Sequence, residues 1–422
     1  MAIKTVAAAG GNFSTGATWV GGLAPVAGDG IVANATSGNL TFNGNTVSLI
    51  SADFTGYTGT LALSTREFTF NTAGTVFLTL GSGMTITKSS NAGRFAISRS
   101  ITITSNGKSI PATISGSNLT TTLVGDLTID YTSTLNTTFT GADVIFTGIN
   151  SFGMQATKIA SGFKFYIRPS ATMALNTAGL PRGYTVFDTT QSITITDPIQ
   201  LQPDTALTNT DVQTIEFGKT ASWSGAGTTN GRPNLMYNLT GDWTGSTFSL
   251  VSTANNNIYE LMSYMNAGIS VNLNLTNKLT AETLTIVSVP GTSKATLNVV
   301  GSGGFSASNV YVDNTRIVNG NAFSVNTSAL KVSSDGTYSI TNLLVSGLTA
   351  GNNAIFSSLT ASVPATLSIT NGAYSYAQIT DINNVGTTQY ALTQNGNTLT
   401  RTTGFTNSVS GGGGGGAFTF VN

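Results

Sequence analysis

Aspartates are the side chains of this sequence best placed to do chemistry. Two carboxylates about 5 to 9.5 Å apart across a groove can hydrolyse a glycosidic bond, one as acid and the other as base or nucleophile. Asp126 and Asp130 stand four apart in Gly-Asp-Leu-Thr-Ile-Asp-Tyr. On a strand they share a face, but at about 3.3 Å per residue they lie about 13 Å apart, too far for a direct pair. Asp188, Asp197, Asp204 and Asp211 could converge if their segments stack, which spacing alone does not establish. Gly107-Lys108-Ser109 and Gly218-Lys219-Thr220 carry the tail of a phosphate-binding loop. The glycine needed five residues earlier is Thr102 in one and Gln213 in the other, so both read as turns. No EF-hand loop, Asp-x-Asp run or Gly-Gly-x-Gly-x-Asp repeat offers calcium ligands. Tyr57, Tyr374 and Tyr376 could stack on sugar rings, although such aromatics more often pack in a core or between subunits.

The 422 residues include no histidine and no cysteine, which removes Cys/His zinc sites, cysteine nucleophiles, Ser-His-Asp triads and disulfides. No residue is assigned a catalytic, cofactor-binding or metal-binding role, and the expectation is a protein that is not an enzyme. The 17 basic and 17 acidic residues cancel and make up only 8% of the chain. A nucleic-acid binder needs a basic stripe, and none is present. Polarity comes instead from hydroxyls and amides, with threonine alone about a sixth of the residues. Leu, Ile, Val and Phe supply about a quarter, enough for the chain to fold. No apolar run reaches the length of a membrane span, and the first ten residues lack a signal-peptide core. A Thr/Ser/Asn/Gly surface without an export signal fits a virion protein released by lysis. A mature fragment or a non-Sec route would fit too.

The elements that would position any site are strands. Apolar residues alternate with Thr or Ser at Phe68/Phe70, Ile101/Ile103, Leu127/Ile129, Ile193/Ile195, Leu297/Val299, Val310/Val312, Phe323/Val325 and Leu367/Ile369. Each such segment has one apolar and one hydroxyl face. The strands are short and are broken by Asn-Gly, Asp-Gly and Gly-Ser-Gly turns. The pattern runs for hundreds of residues with only 9 prolines, and stacked coils penalise like charges. These features predict an all-β, elongated parallel β-helix (β-solenoid); tandem β-sandwich modules are the alternative. One segment departs from alternation. Asn255 to Asn257 followed by Ile258, Leu261, Met262 and Met265, with Gly268 behind, predicts a short helix.

The opening run Trp19, Gly21-Gly22, Pro25, Gly28-Asp29 resembles the first segment of phage fibre- and tailspike-like proteins and of bacterial surface proteins with a right-handed parallel β-helix. Asp53-Phe-Thr-Gly-Tyr-Thr-Gly-Thr-Leu61 is similar to segments of phage structural proteins. Across about 50 residues, the resemblance implies a parallel β-helix in a virion or on a cell surface, without catalytic residues. Tailspikes of that kind also bind or cleave host glycans, which sets the alternative function; a bacterial adhesin is a third.

The expected organisation is a cap or attachment segment at 1–30, a solenoid at 31–195, a loop-rich insertion with the short helix at 196–270, a second solenoid stretch at 271–405, and a glycine-rich tether with a terminal strand at 406–422. A first coil has an open edge and core that must be covered, and Trp19 is a candidate cover. After Gly411–Gly416, Phe418 and Phe420 share one face of a terminal strand that also holds Val421. Such a strand can pair with a sheet edge of its own or another chain. Trp19, Phe418, Phe420 and Val421 are therefore the assembly candidates. The expected partners are copies of the chain itself, as homotrimer or filament, with other virion proteins or a host surface glycan as further ones.

Overall fold

The computed structural model describes residues 2–42, 47–72, 76–90, 92–115, 119–131, 135–147, 157–169, 173–175, 183–195, 199–201, 213–217, 222–224, 228–229, 232–239, 247–252, 257–265, 270–275, 278–288, 295–313, 317–318, 321–322, 328–347, 353–391 and 396–406. The chain divides into two compact units, Met1–Thr196 and Asp197–Asn422.

The first unit is made of parallel sheets. Its eight-stranded sheet takes, in order, Ile3–Thr5, Gly30–Val32, Ser51–Asp53, Val76–Thr79, Ile101–Thr104, Thr120–Val124, Thr138–Thr140 and Lys158–Ile159. A four-stranded sheet takes Gly11–Asn12, Leu40–Phe42, Thr60–Leu63 and Thr85–Lys88. A third row runs through Glu67–Phe70, Arg94–Ile97, Ser109–Ile114, Leu127–Tyr131, Val144–Phe146, Phe165–Ile167 and Tyr184–Phe187, each parallel to the next. Successive strands mostly enter different sheets. Partners within the eight-stranded sheet are 18 to 27 residues apart, as with Thr121 opposite Phe139 and Lys4 opposite Ile31. A chain coiling repeatedly through parallel sheets produces this order, so the fold is all-β and consistent with a β-solenoid. Sandwich modules are antiparallel and do not fit these sheets.

Alternation accounts for the core. Phe68, Phe70, Ile101, Ile103, Leu127 and Ile129 are buried, while Thr69, Thr102 and Thr128 between them are half-exposed. In-register pairing stacks Phe95 on Phe68, and Phe68 meets Phe42 of the four-stranded sheet across the core. Phe13, Phe42, Phe68 and Phe95 form an aromatic column with successive ring centroids 4.6, 4.9 and 5.4 Å apart. Edge-to-face and tilted packing of this kind adds about 0.5–1.5 kcal/mol per pair beyond area burial. Close stacking also constrains the turns. Gly141 has φ +95°, and a Cβ there would run into the Leu123 carbonyl oxygen of the neighbouring strand.

The second unit is likewise built of parallel rows. One takes Arg232–Leu239, Asn257–Met265, Leu279–Ser288, Phe305–Asp313, Tyr338–Ser346, Ala365–Ser375 and Ile382–Asn384. The other takes Gln213–Phe217, Thr247–Ser252, Ser270–Leu275, Ala295–Val300, Ser328–Val332, Ala354–Ser358, Ala377–Thr380 and Thr398–Thr400. Strands on both sides of residue 270 pair within the same rows. The expected helix is corrected here: Asn257–Met265 is a strand, paired in parallel with Arg232–Leu239 on one side and Leu279–Ser288 on the other. An isolated helix of about ten residues is marginal in water, whereas a strand between two parallel neighbours satisfies its backbone on both edges.

These long strands turn a corner. In Tyr338–Ser346 the buried residues are Tyr338, Ile340, Leu343 and Val345, so the inward phase shifts by one between Ile340 and Leu343. Pairing skips a step at the same place, from Ile340 opposite Ile369 to Asn342 opposite Asn371. There Asn342 Nδ2 donates to Asn309 Oδ1 and Asn371 Nδ2 donates to Asn342 Oδ1, both at 3.0 Å. Asn298 donates to Asn272 in the same way at 3.0 Å. A primary amide both donates and accepts, so identical copies can stack into a ladder where identical charges would repel.

Candidate assembly surfaces

The amino-terminal edge of the eight-stranded sheet is closed by its own chain. Ile3–Thr5 pairs with Gly30–Val32 on one side. On the other, Ala7 N–H donates to Thr18 O at 2.8 Å, Val20 N–H donates to Thr5 O at 2.9 Å, and Val6 bridges Trp19 in antiparallel sense. These bonds occupy backbone groups that an added strand would need. Trp19 is 2% exposed, its Nε1 donates to Phe13 O at 2.7 Å, and its ring meets Phe13 edge-on at 5.2 Å. Trp19 thus joins the end of the aromatic column, and its ring is packed within its own chain.

A buried carboxylate fixes the loop that follows. Asp29 is 3% exposed and accepts the amides of Ala2 at 2.7 Å and Val26 at 3.2 Å. Burial pushes its carboxyl upward, but those two amides and the nearby Lys4 outweigh it and hold the group below the usual carboxylate range. The loop is tied down while Val20, Leu23 and Val26 face solvent.

In the second unit, buried side-chain amides bind the final coils together. Asn384 Oδ1 accepts Ile369 N–H at 2.9 Å, and its Nδ2 donates to Thr387 O at 2.7 Å. Gln389 Nε2 donates to Thr387 O at 2.6 Å, and Asn397 takes Ala377 N–H at 2.9 Å while donating to Tyr374 O at 3.1 Å. Asp381 and Arg401 occupy equivalent turns one coil apart, with φ +57° and +48°. They form a two-bonded pair at 2.5 and 2.8 Å. The Arg401 guanidinium holds the Asp381 carboxyl low. Phe418, Phe420 and Val421, like the glycine run before them, lie outside the described residues.

The acids singled out for chemistry do not converge among the described residues. Asp126 is exposed and accepts Asp143 N–H at 3.2 Å. Asp130 Oδ1 lies 3.7 Å from Lys88 Nζ, and burial pushes its carboxyl up. Asp188 pairs with Arg168 at 2.6 Å, and Asp197, Asp204 and Asp211 lie outside the described residues. No group of three or more Asp or Glu that could hold a metal occurs among the described residues. Gly107-Lys108-Ser109 forms a turn, with Gly107 at φ +73° and Lys108 N–H donating to Ser105 O at 3.0 Å. Gly218-Lys219-Thr220 lies outside the described residues. Tyr57 and Tyr374 are buried.

Sequence reading passed over two features. Lys164, Tyr166 and Arg168 alternate with the buried Phe165 and Ile167, and Arg168 sits 4.3 Å over the Tyr166 ring while Lys164 sits 4.2 Å over Tyr184. Phe77 and Val124 stand outward on the eight-stranded sheet, 41% and 53% exposed. Their signal was in the sequence: Phe77 lies between the inward Val76 and Leu78, and Val124 follows the inward Leu123. No family model, no curated protein and no solved structure matches this chain.

Proposed function

We propose that this chain is a non-enzymatic structural subunit of a virion fibre or appendage, or of an extracellular filament, that works by joining copies of itself. In this reading the parallel sheets coil as an elongated β-helix, and the protein works outside a living cell, on a virion or an extracellular surface. One observation carries the proposal: stacked coils register neutral side chains on one another, from Phe68 and Phe95 to the Asn309–Asn342–Asn371 ladder, with hydroxyl faces outside. A surface of this kind lets copies approach without like-charge repulsion. The opening segment's resemblance to phage fibre-like proteins supports the same reading.

Sedimentation velocity of the purified full chain over a wide concentration range tests it. The expected result is a discrete oligomer or a lengthening series of species; a single-chain mass at every concentration would overturn it. A tailspike-like glycan-binding or glycan-cleaving role is the second reading. Its support is the outward Tyr166 and Tyr184, although Arg168 and Lys164 already cover their rings. New reducing ends or unsaturated products on incubation with host capsular or lipopolysaccharide would establish that role instead.

A further inference from the structure

Ion pairs and exposed apolar side chains fall on different strands of the first unit. The ion pairs Glu67–Arg94, Lys88–Asp130 and Arg168–Asp188 all involve the row of strands that begins at Glu67–Phe70. The eight-stranded sheet differs. One outward rank runs Phe77, Thr102, Thr122, Thr140, and the next runs Thr79, Thr104, Val124. Among the described residues of this unit, the exposed large apolar side chains are Ile3, Phe77 and Val124 on that sheet and Val20, Leu23 and Val26 in the adjoining loop. Val20 extends the same face, because Trp19 beside it points inward and Val20 N–H is bonded to the edge strand at Thr5. Scattered apolar residues on a surface need no explanation, but Ile3, Phe77 and Val124 gather on one sheet whose outward charged residues are only Asp53 and Lys158 among the described residues.

We propose that the outer face of the eight-stranded sheet is where a second copy of this chain docks, an inference that rests on the self-assembling reading above. Threonine methyls and hydroxyls with isolated Phe and Val form a surface that can face its own copy, since an isologous contact places each residue near its equivalents. The two charged residues on the outward ranks, Asp53 and Lys158, have opposite sign and stand on the third and eighth strands. A twofold that reverses the stacking order sets the third strand opposite the sixth and the eighth opposite the first, so neither charged residue meets its own copy. At about 4.8 Å between strands and about 3.3 Å per residue, eight strands two to five residues wide, with residues 18–20 alongside, offer about 470 Å². Two such faces bury on the order of 1,000 Å², the lower bound for a specific interface. Residues 18–20 occupy outer edge groups of Thr5 and Ala7, and docking on the face is side chain to side chain.

The test compares sedimentation of the full-length protein with Phe77→Lys, Val124→Lys and Thr122→Lys, using Thr128→Lys on the charge-bearing row as control. Far-UV circular dichroism reports whether each variant is folded, and three positions on the face guard against one that is not. A lysine on the face loses packing and carries a strongly hydrated charge into the contact. Folded face variants should raise the dissociation constant by about tenfold or more, while Thr128→Lys assembles like the parent. Folded face variants that assemble like the parent would sink this surface and leave self-assembly standing. A parent that is single-chain throughout would sink both.

Discussion

Replacing Phe68 with alanine tests the packing logic at its centre. Phe68 is fully buried, and its ring centroid lies 4.9 Å from Phe42, 5.4 Å from Phe95, 5.5 Å from Phe70, 6.0 Å from Phe13 and 6.5 Å from Phe54. A buried Phe→Ala change costs about 3–5 kcal/mol in lost transfer energy and residual cavity. Five aromatic neighbours in close-packed coils leave little room for collapse, which puts Phe68→Ala near the upper end, at about 5 kcal/mol. For a cooperative unit of this size that corresponds to a fall in Tm of roughly 10–20 °C. Repeat architectures couple nearest neighbours, so the damage should centre on the adjoining coils. Urea unfolding followed by circular dichroism gives the loss. Hydrogen exchange should show the amides of Leu40–Phe42, Glu67–Phe70 and Arg94–Ile97 opening first. Thr69→Ala is the control: Thr69 is half-exposed, its Oγ1 has no hydrogen-bond partner, and its loss should cost less than about 0.5 kcal/mol. A Phe68→Ala cost below about 1 kcal/mol, or exchange unchanged in those strands, would refute a column that bears on stability.

Two further outcomes follow from the same geometry. Because the Asp29 carboxyl titrates below its unfolded value, its contribution is complete above the ordinary carboxylate pKa of about 3.9 and fades as pH falls through the lower folded value. The Tm gap between the parent and Asp29→Asn should therefore be widest near neutral pH and narrow in strong acid, and a gap independent of pH would contradict the assignment. At the corner ladder, Asn342→Asp replaces the amide that donates to Asn309 Oδ1 with an acceptor, while the bond from Asn371 remains possible. The loss expected in urea unfolding is about 1–3 kcal/mol, and Asn342→Asp as stable as the parent would show that the ladder contributes nothing.

Much of the fold was legible because strand alternation is a local signal. The pairs Phe68/Phe70 and Leu297/Val299 are buried as their spacing requires. Where the sequence misled, a tertiary effect outweighed a local one. Ile258, Leu261, Met262 and Met265 have helical spacing, yet parallel neighbours on both sides hold Asn257–Met265 extended. The Asn ladder was hidden because Asn309, Asn342 and Asn371 are 33 and 29 residues apart, and unequal coils leave no fixed period to read. Trp19 could be assigned to the opening coil from sequence, but not its bond to Phe13 O, which depends on the antiparallel return of residues 18–20. The outward Phe77 and Val124 acquire meaning only when register brings them onto one face with the threonines, and register is a property of the assembled sheet.

An electron cryo-microscopy map of the purified full-length protein tests the central claim most directly. The account predicts particles holding two or more copies, each with its parallel strands stacked, in contact through hydroxyl-bearing faces. Single chains whose threonine ranks border only solvent at every concentration would contradict it.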